Sequence, residues 1–401
     1  MKKSILLLIA VTISFISTAQ LWQHSSCPHG GTITATVLNG TNFFVGTSLG
    51  GIHRSTDNGA TWTTVNNGLT DLMVYSMAVS GNNIFAGTFL GGVFRSIDNG
   101  ANWTPVNTGI VVGNNNIATL AVKGNDIFAG TGNNMFVSSD NGNSWTMCNN
   151  GLLFKSVYCL LIDGNDIYRG CNSGQYGGIY KSTDNAASWT AVNTGLTNLE
   201  ITCFAASGTK IFAGTTDGLF LSNNNGASWS PVNNGLDCTH ITALLANGTT
   251  VYAGTNAGLI FGFASYDNGN NWISINDNLS NLSSTLNSYI IVGTDLYAGL
   301  CCGHGLWKRP LSEVSTGIVE KIKFNNFSAY PNPTAGDFTI QLDFAEPNCK
   351  LQILNSIGQI IQSKMIEGKT NIDLKIADQG FYLIKIITEK QTIIKRVVVN
   401  K

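Results

Sequence analysis

One pattern of eight residues recurs through most of the chain. Ser55-Thr-Asp57-Asn-Gly59-Ala-Thr-Trp62 returns as Ser96–Trp103, Ser138–Trp145, Ser182–Trp189, Ser222–Trp229 and Ser265–Trp272, with the tryptophans 41, 42, 44, 40 and 43 residues apart. A second marker, Phe-Ala-Gly-Thr or a close variant, runs through Gly46, Gly87, Gly130, Gly170, Gly214, Gly254 and Gly299. A period of this length marks a unit that cannot bury both of its faces alone and must stack on copies of itself. In the second copy the strands read as Tyr75–Val79, Ile84–Thr88, Gly92–Ser96 and Trp103–Val106. Gly81-Asn-Asn83 between the first two is a tight hairpin sequence. Four short strands per unit, stacked radially, predict a β-propeller. Gly87 and its equivalents should lie where neighbouring units approach too closely for a side chain.

The markers number seven but the complete boxes only six. Trp22 lies 40 residues before Trp62, in register, with no box ahead of it. The last unit has three strands, Leu286–Val292, Asp295–Leu300 and Gly305–Pro310, and lacks a fourth. Leu21–Ser25 is therefore expected to supply it. The prediction is all-β: a seven-bladed β-propeller over residues 20–313, closed by its N-terminal strand, followed by a small Ig-like β-sandwich.

The Ser-x-Asp-x-Gly-x-x-Trp box resembles the Asp-box (BNR) repeat of sialidases, xyloglucanase-like glycosidases, the sortilin ectodomain and photosystem assembly propellers. That resemblance implies a structural box, away from the ligand face. Its Asp accepts hydrogen bonds from the turn's own amides, its Gly takes positive φ, and its Trp covers the hairpin. Asp57, Asp98, Asp140, Asp184 and Asp267, with Trp62, Trp103, Trp145, Trp189, Trp229 and Trp272, are accordingly assigned as structural. Copy four has Ala186 in place of Gly, and copy five has Asn224 in place of Asp. Those departures argue against a calcium-binding or catalytic task common to the boxes.

The two ends of the chain read as addresses. Met1-Lys2-Lys3, an apolar run Ile5–Ile16 and Ser17-Thr18-Ala19 predict a secretory signal peptide over residues 1–19. After Gln20 nothing reaches the run of about 18 apolar residues that a membrane span needs, so no transmembrane segment is expected. Residues 314–324 read as a linker and 325–401 as a second domain. Residues 314–401 hold 11 of the 22 Lys and Arg, while residues 21–313 hold 9 against 15 Asp and Glu. The second domain alternates with period two over Phe338–Phe344, Lys350–Leu354, Gln359–Gln362, Thr370–Leu374, Phe381–Thr388 and Thr392–Asn400, as a small sandwich would. Tyr330-Pro-Asn-Pro333, Gly336 with Phe338, Asn355 with Gly358, Gly380-Phe-Tyr382 and Lys395–Lys401 resemble the type A C-terminal sorting domain of the type IX (Por) secretion system. The resemblance implies the type IX machinery as a partner, and release or display at the outer-membrane surface by way of the periplasm.

Charged residues are 11% of the chain and the net charge is −1, which excludes the basic stripe of a nucleic-acid binder. If the boxes and the A–B hairpins share one end of the propeller, the B–C and D–A connections share the other, where a ligand would bind. Phe89, Leu90, Tyr176, Asp217, Asp237 and His240 are the candidate ligand contacts there. Arg54 and Arg95 each stand eight residues before their Trp, beside the box turns, so the arginine cluster of a sialidase cannot assemble. A glycosidase needs two carboxylates about 5–10 Å apart, and Glu200, Asp217 and Asp237 with His240 are the best catalytic candidates. Cys27-Pro-His29 and Cys301-Cys302-Gly-His304 should meet at ring closure. A disulfide from Cys27 to Cys301 or Cys302 suits an exported chain. The alternative, a zinc or copper site with His29 and His304, lacks a recognised ligand spacing, and no metal or cofactor is expected. Three functions remain open: a binding protein for a glycan or protein ligand, a carbohydrate-active hydrolase, and an assembly scaffold for another exported protein.

Overall fold

A computed structural model describes residues 22–25, 31–315 and 327–399. Within these spans it omits 112, 114, 151, 153–155, 172–176, 237, 257–261, 277–278, 280–283, 331–333, 343–348, 356–358, 367–370 and 388–391. The residues read as a signal peptide, and all of the linker except Val314 and Ser315, lie outside the described residues. The chain divides into two compact units, Met1–Ser315 and Thr316–Lys401.

The first unit is a β-propeller. Among the described residues it holds seven four-stranded antiparallel sheets. In the second, the inner strand A is Val74–Ser80, B is Asn83–Thr88, C is Val93–Ser96 and the short outer strand D is Thr104–Pro105. The A–B hairpin keeps one register throughout: Ala35, Ser76, Thr119, Cys159, Cys203, Ala243 and Ser288 pair with the marker glycines. Each A strand opens on a buried aliphatic residue that packs on the preceding sheet. A Cβ on Gly87 would come within 2.5 Å of Ile117, and one on Gly299 within 2.5 Å of Ile33. The close approach expected at the marker glycine is therefore the contact between neighbouring sheets, and last meets first.

Each A strand also shifts register between its first and third residues. The bulge takes the second residue out of the ladder. Where that residue is polar it reaches the next sheet: Thr202 Oγ1 donates to Ile241 O (2.6 Å) and Asn287 Nδ2 to Ile33 O (3.1 Å).

The box tryptophans tie the sheets together on the outside. Trp103 Nε1 donates to Val65 O (2.8 Å), Trp145 to Val106 O (2.7 Å), Trp189 to Cys148 O (2.9 Å), Trp229 to Val192 O (2.8 Å) and Trp272 to Val232 O (2.8 Å). In every case the acceptor lies three residues beyond the preceding sheet's tryptophan. Trp22, 3% exposed, does the same to Ile275 O at 2.6 Å.

The N-terminal segment closes the ring as expected. Gln23–His24 pairs with the strand Leu306–Pro310, in the register Gln23↔Lys308 and His24↔Trp307. Ser25 N adds a bond to Leu306 O (2.8 Å), and Trp62 Nε1 donates to Ser25 Oγ (3.2 Å). The last sheet runs on into a short helix, Leu311–Ser315, whose Val314 is 1% exposed in the same apolar cluster as Trp22 and Leu279. The reading that ended the propeller at residue 313 thus stops short of one buried side chain.

The second unit has a three-stranded and a four-stranded sheet around one core that includes Phe338, Ile340, Leu351, Ile384 and Val397. Six of its strands match the alternating segments. The seventh, Phe327–Tyr330, pairs with Asp337–Leu342 and was absent from the sequence reading, because four residues carry too little alternation to register.

Replacing Trp22 by Ala removes a buried indole and its hydrogen bond from the closing strand, at a cost of about 3–5 kcal/mol. Trp62→Ala, at a half-buried site, should cost less. Urea titration followed by tryptophan fluorescence checks the order, and equal midpoints for Trp22→Ala and the parent would contradict the closure described.

Candidate functional site

The two ends of the propeller differ in how much of their polar chemistry is already committed. At one end lie the boxes. Ser55 Oγ donates to Asp57 Oδ1 (2.7 Å), Thr61 N to the same oxygen (2.8 Å), Thr61 Oγ1 to Oδ2 (2.6 Å), and Gly59 N to Ser55 Oγ (2.7 Å). The same four contacts recur around Asp140 and Asp184, with Ala186 N in the glycine position of the latter. Asn58 and Gly59 both take positive φ, 54° and 79°, and Ala186 is held at 68°. The hydroxyl and amide of Thr61, then Ser55, hold the Asp57 carboxyl down at about 2, and the Ser144 and Ser188 pairs do the same for Asp140 and Asp184. Asn102 lowers Asp98 in the same way; at Asp267 burial opposes ionisation and hydrogen bonds led by Asn271 outweigh it. These carboxylates are occupied by their own turns.

Cations gather at this end as well. Arg54 Nη1 donates to Asn99 O (2.8 Å), Arg95 Nη1 to Asn141 O (2.6 Å), and Lys181 Nζ bonds Asp166 (2.7 Å) and Asn225 O (3.3 Å), each bridging to another box. Lys123 reaches the Asn165 carbonyl (2.8 Å) of the next A–B hairpin. Arg169 takes the marker's alanine position and is fully buried, its guanidinium 5.5 Å from the Trp189 ring and 5.8 Å from Tyr180. Both rings present aromatic faces to the guanidinium.

At the opposite end the B–C turns and D–A connections are laced together: Gly51 N to Leu72 O (3.1 Å), Phe89 N to Met73 O (2.9 Å), Thr216 N to Glu200 O (3.1 Å) and Asn256 N to His240 O (3.0 Å). Two halves emerge. Over the first sheets the residues are aliphatic and aromatic. Leu49 and Leu90 are 68% and 67% exposed, joined by Leu72 and Val111. Phe89 is half-buried, its ring 5.6 Å from Tyr75 and edge-on. Asp71 fixes this turn: Oδ2 accepts from Leu90 N (2.6 Å) and Gly91 N (2.9 Å), and Oδ1 from Met73 N (3.0 Å).

Over the later sheets runs a polar ribbon. Thr216 Oγ1 donates to Glu200 Oε2 (2.8 Å), Thr239 Oγ1 to Asp217 Oδ1 (2.9 Å), and Thr285 Oγ1 to Asn256 Oδ1 (2.7 Å). Glu200, Asp217 and His240 thus stand on consecutive connections, the two carboxylates each accepting from a threonine hydroxyl and His240 joined through its main-chain carbonyl. Asp237 and Tyr176 lie outside the described residues. Cys301 and Cys302 are free thiols, and Cys27, their expected partner, is outside the described residues too. Leu72, Tyr75 and Tyr158 were missed as candidates. The two tyrosines sit at the bulged second position of strand A, a place that an alternating pattern treats as interior.

Burying no more than their turns require, the box carboxylates give a stability contribution with a defined pH window. Their folded values lie below the ordinary 3.8, at about 2 for Asp57, Asp140 and Asp184. The contribution is complete above the unfolded value and is lost as pH falls towards the folded one. Unfolding midpoints should stay level from neutral pH to about 4 and then fall. Asn224 shows that an amide keeps the turn, accepting from Ser228 N at 2.9 Å. The triple variant Asp57→Asn, Asp140→Asn, Asp184→Asn should therefore fold and lose less stability in acid; an acid profile identical to the parent's would refute the assignment.

Comparison with known proteins places these features. The model of the DUF6242 beta propeller domain matches residues 21–157, 93–194 and 154–288. The secretion system C-terminal sorting domain matches residues 328–400. No curated protein matches the chain. Among solved structures, YCF48 from Cyanidioschyzon merolae is similar at 14% identity, over 73% of this chain and 100% of that one, with a TM-score of 0.61. A structure of YCF48 bound to D1 peptide gives 14%, 73%, 97% and 0.58. The GH74 xyloglucanase from Xanthomonas campestris gives 15% identity over 92% of this chain and 66% of that one, with a TM-score of 0.56. At these identities the likeness is one of fold. Among the described residues no helix is long and apolar enough to cross a membrane. The sorting domain makes the protein a client of the type IX secretion machinery, secreted or held at the outer-membrane surface. The chain belongs to the DUF6242 β-propeller family and carries a secretion system C-terminal sorting domain.

Proposed function

We propose that the protein is an exported binding module that takes a protein or glycan ligand on the end of the propeller opposite the boxes, and that a polypeptide is the better fit. The observation that carries this reading is the divided surface of that end. Its aliphatic half, Leu49, Leu72, Leu90 and Val111, exposes apolar side chains on turns that hydrogen bonds hold in place. Large exposed apolar side chains grouped on one surface mark interaction sites. Sugars stack on aromatic faces, whereas leucine and valine suit apolar side chains of a peptide. The polar half carries Glu200 and Asp217, while the described cations of the propeller are at the box end or buried. A partner with apolar residues and a lysine or arginine therefore complements both halves. YCF48, whose fold is similar, has been captured with a peptide, which supports the reading by analogy.

Glycoside hydrolysis is the second reading, favoured by the fold shared with a GH74 enzyme and by Glu200 and Asp217 on neighbouring connections. Scaffolding of another exported protein is a special case of the first. The full chain, immobilised and exposed to outer-membrane and secreted protein fractions and in parallel to a glycan array, should retain a protein. Leu49→Asp with Leu90→Asp should weaken the captured complex by at least about tenfold, with Arg95→Ala at the box end as control. Release of reducing sugar from a polysaccharide panel, abolished by Glu200→Gln or Asp217→Asn, would replace the binding reading with the hydrolytic one.

A further inference from the structure

The B–C turn of the last sheet carries two adjacent cysteines, Cys301 and Cys302, that neither reading above uses. Their environments are unequal. Cys301 is partly buried and its Sγ accepts from Thr285 N (3.4 Å) and Ser284 Oγ (3.8 Å). Cys302 is exposed, sits in the left-handed region at φ 60°, and is anchored through its amide to Thr32 Oγ1 (3.2 Å), on the first sheet across the closure. Burial opposes ionisation of Cys301, and hydrogen bonding to its sulfur outweighs it, so its thiol is held below the ordinary value. Hydrogen bonding to Cys301 pushes Cys302 the other way. The first sulfur is thus the nucleophile, and the second carries the proton and faces solvent.

We propose that Cys301 and Cys302 form a redox-active dithiol that exchanges with organic disulfides and closes as a bond between the two adjacent sulfurs. The Cys301 thiolate attacks one sulfur of a disulfide RS–SR, forming Cys301–S–SR and releasing RS⁻. Cys302 gives its proton to solvent and attacks the Cys301 sulfur, expelling the second RS⁻. Two protein thiols lose two electrons, and the co-reactant takes them as two thiols. Export through an oxidising compartment brings the chain into contact with such co-reactants. The closed form would stiffen the turn that touches the first sheet, at the seam of the ring. This assignment is independent of the binding reading.

The probe is oxidised glutathione, added to the full-length reduced chain, with chymotryptic peptides mapped by mass. The parent should lose two hydrogens from the peptide containing both cysteines and retain no glutathione. Cys302→Ser should keep one glutathione on Cys301. In Cys301→Ser, Cys302 should react about tenfold more slowly than Cys301 does in the parent. Unfolding midpoints equal to the parent's confirm that both variants fold, and the parent's mapping needs no variant. Glutathione persisting on the parent, a cross-link from either sulfur to Cys27, or no reaction at either position overturns the proposal.

Discussion

The propeller depends on one hydrogen bond repeated at six of its seven sheet contacts: an indole N–H given to the carbonyl three residues past the preceding tryptophan, with the Ser25 hydroxyl taking that place for Trp62. Each such bond is worth about 1 kcal/mol net, yet leaving its carbonyl buried and unpaired would cost more. The indole carries a large apolar surface with it, so geometry and burial demand the same placement. A glycine six residues past Trp62, Trp103, Trp189 and Trp229 makes room. A Cβ on Gly68 would meet Trp103 O at 2.1 Å, and one on Gly109 would meet Trp145 O at the same distance. The asparagine-bearing segment after the D strand of each of the first six sheets is therefore a socket for the next sheet's tryptophan rather than a free loop.

That contact also explains where the repeats are permitted to differ. The interval from box serine to tryptophan, from tryptophan to accepting carbonyl, and from strand A to marker glycine is constant. Every insertion falls in the B–C turns and D–A connections, at the opposite end. The box end is uniform and its charges are paired within and between turns, while the other end varies from sheet to sheet. A scaffold held by contacts at one end leaves the other free to carry specificity. Here the variation separates into an aliphatic half locked by Asp71 and a polar ribbon running from Glu200 to Cys301.

Much of this was legible beforehand. Trp22 could be assigned to the last sheet because it keeps the period although its box is absent, and the marker glycines announced a close approach. Other features carry no periodic signal. The bulge that turns Tyr158 outward, to 51% exposure, depends on how strand A meets the next sheet. Asp71 reads from sequence as a free acid of the variable end, yet the amides of Leu90 and Gly91 converge on it from a separate turn. Arg169 stands in the marker's alanine position, and its spacing gives no sign that the Tyr180 and Trp189 rings face its guanidinium. Such placements depend on residues that are distant along the chain, which local pattern does not link.

The sequence by itself determined the repeating sheet, the closing strand, the structural role of the boxes and the export route, because each rests on periodicity or on a contiguous motif. Tertiary structure alone decided which side chains share a surface at the variable end. That outcome depends on how loops of different lengths cross and hydrogen-bond to one another, and no spacing encodes it. The same holds for the pairing of a solvent-facing thiol with a sheltered one at the seam: adjacency is visible in the letters, but the donors that make the two sulfurs unequal come from segments folded against them.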